Sequence, residues 1–212
     1  MSAHGQTFTN LDFESAVVVS NDPTFGFLDW GLAVPGWSHS LGSDTGAVYY
    51  GSTHVGQTQW FRLIDVITSP GNAPLQGQYS MQFSSGRSST NPPGPWVSAF
   101  LAQTGAVPSN ALSLRFLATG PLAVAIDGLT VPIISTGQNA FGVDLVPYAG
   151  STVELRFINS SQQFFDPVML DQVSFSTTPI PEPESWLLLS AGLALGSAFR
   201  SRTQGSLAPH TR

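Results

Sequence analysis

The chain has 212 residues, 42% of them apolar and only 9% charged, with a formal net charge of −6 at neutral pH. All seven cations are Arg and there is no Cys, which removes disulfides, thiol nucleophiles and Cys-ligated metal centres together. An acidic, Lys-free chain without a basic run does not suit a phosphate backbone, so nucleic acid is excluded as a partner, while 14 Phe, 5 Trp and 4 Tyr argue for a packed globule.

Met1 to Gln6 hold neither a basic n-region nor an apolar h-region, so they do not read as a secretory signal. Ser2 and Ala3 before His4 look like the end of a small-residue cleavage site, and the expectation is a true start upstream. From there the sequence to residue 178 reads as all-β. Strands are predicted at 12–19, 47–50, 60–67, 78–83 and 96–103. At 111–117, Leu112, Leu114 and Phe116 alternate with Ser113 and Arg115; at 152–157, Val153, Leu155 and Phe157 alternate with Glu154 and Arg156. Such a period of two gives a strand one buried and one solvated face. Between these, 122–126 and 129–134 flank Asp127-Gly128, the dipeptide that suits a type I′ hairpin turn. The last strand is 168–175, with Met169, Asp171, Val173 and Phe175 on one parity. No helical stripe stands out before residue 180. Eight or more short antiparallel strands in this span predict a two-sheet sandwich of jelly-roll type over 1–178, with the first and last strands paired.

The composition changes at Pro179, Pro181 and Pro183, whose fixed φ and missing donors favour an extended linker over 179–184. Residues 1–178 hold 4 Arg and 11 acids, net −7, and residues 179–212 are net +1. The stretch 185–199 carries no charge across 15 residues and is followed by Arg200 and Arg202. As a helix it is about 22 Å long, short of a hydrocarbon core of about 30 Å, with Trp186 and the Arg pair placed as interfacial anchors and the C-terminus on the cytoplasmic side. Pro181, Glu182 and Pro183, then an apolar helix over 185–202 with its basic cluster, resemble the PEP-CTERM protein-sorting signal of bacteria over residues 179–202; a disordered tail is expected over 203–212, beyond where such signals usually stop. The resemblance implies export, transient anchoring in the inner membrane, recognition by an exosortase, and release to the cell envelope or an extracellular polysaccharide matrix.

Catalytic chemistry is sparse. His4, His39, His54 and His210 show no metal-ligand spacing, and no nucleophile elbow, dinucleotide fingerprint or P-loop is present. The parity of Asp171 turns its carboxylate toward the core, where it must be paired, hydrogen-bonded or metal-bound. Asn10 to Glu14 at the start, Val34-Pro35-Gly36-Trp37 soon after, and Leu170, Asp171, Val173 and Ser174 at the end resemble galactose-binding-like and carbohydrate-binding β-sandwich modules. That resemblance implies neighbouring first and last strands and a structural calcium held by Glu14 and Asp171. The alternative is that Asp171 accepts backbone N–H groups or pairs with an Arg such as Arg156. Among the aromatics, Trp96 after a Pro-Gly-Pro loop, Trp60 and Tyr50 are the candidate rings for stacking on sugar, and Trp37 is expected in the core. The combined expectation is an exported, non-catalytic envelope or matrix protein whose sandwich binds polysaccharide. A secreted glycan-active enzyme and a purely structural surface domain are the alternatives.

Overall fold

A computed structural model of the chain describes residues 6–19, 26–40, 47–50, 59–65, 73–87 and 94–180. Fifteen strands are described, in chain order Gly26–Asp29 (β1), Ser38–His39 (β2), Ala47–Tyr50 (β3), Trp60–Asp65 (β4), Tyr79–Ser84 (β5), Gly86–Arg87 (β6), Trp96–Val97 (β7) and Ala99–Ala106 (β8), then Ser113–Thr119 (β9), Leu122–Ile126 (β10), Leu129–Val131 (β11), Ile134–Gly137 (β12), Ala140–Asp144 (β13), Thr152–Asn159 (β14) and Val168–Ser176 (β15). One four-residue helix, Trp30–Ala33 (α1), follows β1, its N-terminus capped by the Asp29 carboxylate on the Leu32 N–H at 3.3 Å. The strands form an eight-stranded sheet in the order β1-β3-β4-β5-β15-β9-β13-β12, a five-stranded sheet in the order β11-β10-β14-β8-β2, and a small ribbon of β6 and β7. Pairing is antiparallel except between β3 and β4. The domain is therefore an all-β sandwich.

Alternation builds the core between the two larger sheets. Leu114, Phe116 and Ala118 of β9 and Val168 and Leu170 of β15 meet Leu101 of β8, Val124 and Ile126 of β10, and Val153, Leu155 and Phe157 of β14. The β10–β11 hairpin turns at Asp127 and Gly128, both with positive φ (49° and 78°), as a type I′ turn requires. The Asp127 carboxylate fixes that turn by accepting the Glu154 N–H at 2.8 Å.

Two expectations are corrected here. Residues 12–19 form turns and extended coil rather than a strand. Asn10 and Phe13 sit at φ 48° and 60°, which breaks any ladder, and Phe13 drops fully buried against Trp37, ring centroids 5.4 Å apart. Nor are the first and last strands paired: β1 edges the eight-stranded sheet while β15 lies inside it, between β5 and β9. The N-terminal segment reaches β15 through one described backbone bond, Val173 N–H to Leu11 C=O at 3.1 Å.

That bond falls at a bulge. The register of β15 on β9 shifts between Asp171 and Ser174, with Gln172 at φ 49°, and an extra residue exchanges the two faces of a strand. Val168 and Leu170 face the core before the bulge, and Val173 and Phe175 do so after it. Asp171 thus lies on the opposite face from the inter-sheet core, yet has no exposed surface. The same outer face buries Arg62 of β4 with Ser80 and Gln82 of β5, Arg62 Nη2 donating to Gln82 Oε1 at 2.6 Å.

The chain divides into two compact units, 1–179 and 180–212. At the end of the first, Ser113 Oγ donates to the Thr178 carbonyl at 2.7 Å and Arg115 Nη2 to the Pro179 carbonyl at 3.1 Å. The helix expected over 185–202, with Pro181, Glu182, Pro183, Arg200 and Arg202, falls outside the described residues. Among the described residues no helix is long and apolar enough to cross a membrane.

Candidate functional site

Glu14 and Asp171 do come together, at the turn that enters β5. Asp171 Oδ2 accepts the Gln76 N–H at 2.9 Å and the Ser80 hydroxyl at 2.6 Å, and its Oδ1 accepts the Gln172 N–H at 2.6 Å. Glu14 Oε1 accepts the N–H groups of Gln78 and Tyr79 at 2.8 and 3.1 Å. Ser80 Oγ completes the turn by accepting the Leu75 N–H at 2.9 Å. Gly77, at φ 65°, is required because a Cβ there would overlap the Glu14 carboxylate.

Burial pushes the Asp171 carboxyl up to about 6; the Ser80, Gln76 and Gln172 hydrogen bonds oppose the shift, and the Glu14 charge adds to it. Tyr79 is likewise raised by burial and by the nearby Asp65 and Glu14 charges. Calcium needs six to eight oxygen ligands, whereas the groups around these two carboxylates are N–H and O–H donors. No set of three or more acidic or His side chains converges on a metal position among the described residues. The contacts are those of the hydrogen-bonded alternative, in which two acids from distant segments clamp one turn.

The three candidate stacking rings separate. Tyr50 is 5% exposed, faces the core and donates its hydroxyl to the Asp65 carboxylate. Trp60 is 6% exposed, on the outer face of β4 with the Arg62 guanidinium 6.0 Å from its ring. Neither presents a ring to solvent. Trp37, as expected, is buried, its indole N–H on the Asn10 carbonyl at 2.9 Å.

Trp96 is half-buried and has company. Its partner across the β6–β7 ribbon is Arg87, whose guanidinium lies 5.5 Å from the indole. Phe164 approaches from the β14–β15 loop, ring centroids 4.8 Å apart and tilted by 45°, and Phe165 lies 6.4 Å beyond. Phe164 and Phe165 are 40% and 66% exposed, and Val97 is 48% exposed.

The loop holding the two Phe residues is fixed from below. Buried Asn159 donates to the Asp166 and Phe83 carbonyls at 2.8 and 3.3 Å and accepts the Ser161 N–H at 2.9 Å. Ser161 Oγ donates to Asp166 Oδ2 at 2.6 Å, and Ser85 Oγ donates to the Ser161 carbonyl. With its base pinned, the loop holds Phe165 at φ 62°, a strained setting for an aromatic residue.

Sequence reasoning reached Trp96 but not Arg87, Phe164 or Phe165. The available signal was adjacent Phe residues in a polar turn segment, outside any alternating run.

An apolar cavity of about 50 Å³ opens between the sheets, lined by Phe116, Ala118, Gly120, Leu122, Ile133 and Phe141. It is far smaller than the roughly 300 Å³ of a small-molecule pocket, so the exposed rings, not this cavity, form the candidate site.

No family model and no curated protein sequence matches the chain. Among solved structures, it is similar to the enzymatically active domain of tailspike protein 4 of bacteriophage CBA120, at TM-score 0.35 and 17% identity, over 66% of this chain and 19% of that one.

Proposed function

We propose that the sandwich is a non-catalytic module of jelly-roll type that binds polysaccharide, exported and held transiently at the inner membrane by a PEP-CTERM tail. An exosortase then releases it to the cell envelope or extracellular matrix. The observation that supports binding is the aromatic cluster in which half-buried Trp96 of β7 meets Phe164 and Phe165, exposed on a loop fixed by Asn159 and Asp166. Rings presented on a rigid base stack on the C–H faces of sugars with little ordering cost. Export rests on the order of Pro181, Glu182, Pro183, the apolar stretch, Arg200 and Arg202 in the sequence.

A glycan array with the full-length chain tests the binding reading. Trp96→Ala is expected to reduce binding at least about tenfold, the scale of truncating an aromatic anchor, with the melting curve unchanged. Full retention by the variant removes the cluster from the site, absence of binding favours a purely structural domain, and shortening of a bound glycan favours an enzyme. For the tail, with an export signal supplied upstream, exosortase-bearing cells should accumulate a shorter form outside the inner membrane. Alanines at Pro181, Glu182 and Pro183 should block that shortening and leave membrane association intact.

A further inference from the structure

We propose that Arg87, Trp96 and Phe164 form a subsite for a uronic acid unit, so that the glycan is an acidic polysaccharide; this rests on the polysaccharide-binding reading above. The described residues include four Arg. Arg62 donates to Gln82, Arg115 to Ser113 and the 178–179 carbonyls, and Arg156 to Glu154. Arg87 uses only Nε, on the Gly94 carbonyl at 3.0 Å, and its two terminal nitrogens have no acceptor among the described residues.

Its guanidinium is held by the cross-strand pairing with Trp96 and lies beside the ring that continues to Phe164. A planar fork whose four terminal N–H bonds have no acceptor among the described residues matches a carboxylate bidentately. The rings beside it match the apolar face of a pyranose. The nearby Asp166 carboxylate is drawn into its own loop by the Ser161 hydroxyl at 2.6 Å. Because residues 1–178 carry a net charge of −7, a polyanion is repelled by most of the domain. Recognition of acid in the sandwich is therefore local, at the Arg87 guanidinium.

The test measures binding of the full-length chain to alginate, polygalacturonate and hyaluronate beside dextran and methyl-esterified polygalacturonate. At least one uronate polymer is expected to bind about tenfold or more tightly than the neutral polymers, the scale of a charge-assisted pair of hydrogen bonds. Arg87→Gln should abolish that preference and leave the weaker neutral binding in place, while Trp96→Ala should reduce both. Raising salt from 0.02 to about 0.5 M should narrow the preference as the charges are screened. Equal affinity for acidic and neutral polymers, or a preference that survives Arg87→Gln, overturns the uronate assignment and leaves the polysaccharide reading standing. Failure to bind every polymer overturns both.

Discussion

The turn at 75–80 and the cluster around Trp96 are both assembled from segments far apart in sequence, and both hold charged side chains. At the turn, the Glu14 and Asp171 carboxylates accept from N–H and O–H donors, with Asp171 fully buried. Beside Trp96 the rings are exposed and two guanidinium nitrogens lack acceptors among the described residues. Buried polar groups are costly unless paired, so the first arrangement is complete without a ligand. The second keeps its apolar and donor surface toward solvent, where a ligand can use it. Substitutions should separate the two by what they damage: stability at the turn, binding at the cluster.

The largest effect is expected from Asp171→Ala. It leaves the Ser80 hydroxyl without its acceptor in a buried site, and the Gln76 and Gln172 N–H groups without theirs in part-buried ones. At about 1–3 kcal/mol for each unsatisfied donor, offset in part by relief of the buried charge, the net loss should be about 3 kcal/mol. Urea unfolding at neutral pH measures it. A loss below about 1 kcal/mol would mean that the turn does not depend on the clamp. Added Ca²⁺ or EDTA should leave the parent midpoint unmoved.

The same carboxylate makes stability depend on pH. Its folded value of about 6 lies above the ordinary 3.8 because burial disfavours the charge. The folded chain therefore keeps a proton that the unfolded chain releases within that window. This group's contribution is fully present below pH of about 4, is lost as pH rises to about 6, and is flat above. The two-unit displacement corresponds to a decline on the order of 2 to 3 kcal/mol. Asp171→Asn should remove that slope, while its amide NH₂ meets donors and lowers stability throughout. A parent slope of opposite sign between pH 4 and 6, restored to zero by the Asn variant, would refute the assignment.

What the sequence disclosed follows local chemistry closely. Asp127-Gly128 announces its own turn because both positions tolerate positive φ, and 47–50 and 152–157 show their strands through alternation or β-branched and aromatic content. Asp171 was legible as buried, but its face was not, because the bulge at Gln172 inverts parity and has no local signature in a non-Gly residue. Residues 12–19 misled for a related reason: the left-handed Asn10 and Phe13 are stabilised by Trp37, more than 20 positions on. At the candidate site, Trp96 was visible beside its Pro-Gly-Pro loop. Its neighbour Phe164 is 68 positions away, and only the folding of the β14–β15 loop joins them.

A smaller effect tests whether the clamp is as tight as its geometry. Gly77→Ala meets both the left-handed φ of 65° and the Glu14 carboxylate, and should cost about 2 kcal/mol. In a Glu14→Ala background the overlap is gone and only the backbone strain of about 1 kcal/mol remains. The double-mutant cycle should therefore show coupling of about 1 kcal/mol. Additive losses would place Glu14 outside contact with Gly77.

The smallest effect is expected at the cluster, and its sign carries the argument. Phe165 is 66% exposed and held at φ 62°, so its ring contributes little burial while its backbone is strained. Asn tolerates the left-handed region far better than an aromatic residue, and Phe165→Asn should raise stability by up to about 1 kcal/mol. If the ring is kept for a ligand, the same substitution weakens glycan binding. A variant that is stabler and binds less well separates this loop from the 75–80 turn, where every substitution is expected to destabilise. Destabilisation by more than about 1 kcal/mol would instead make Phe165 a packing residue, and the strain would lose its functional explanation.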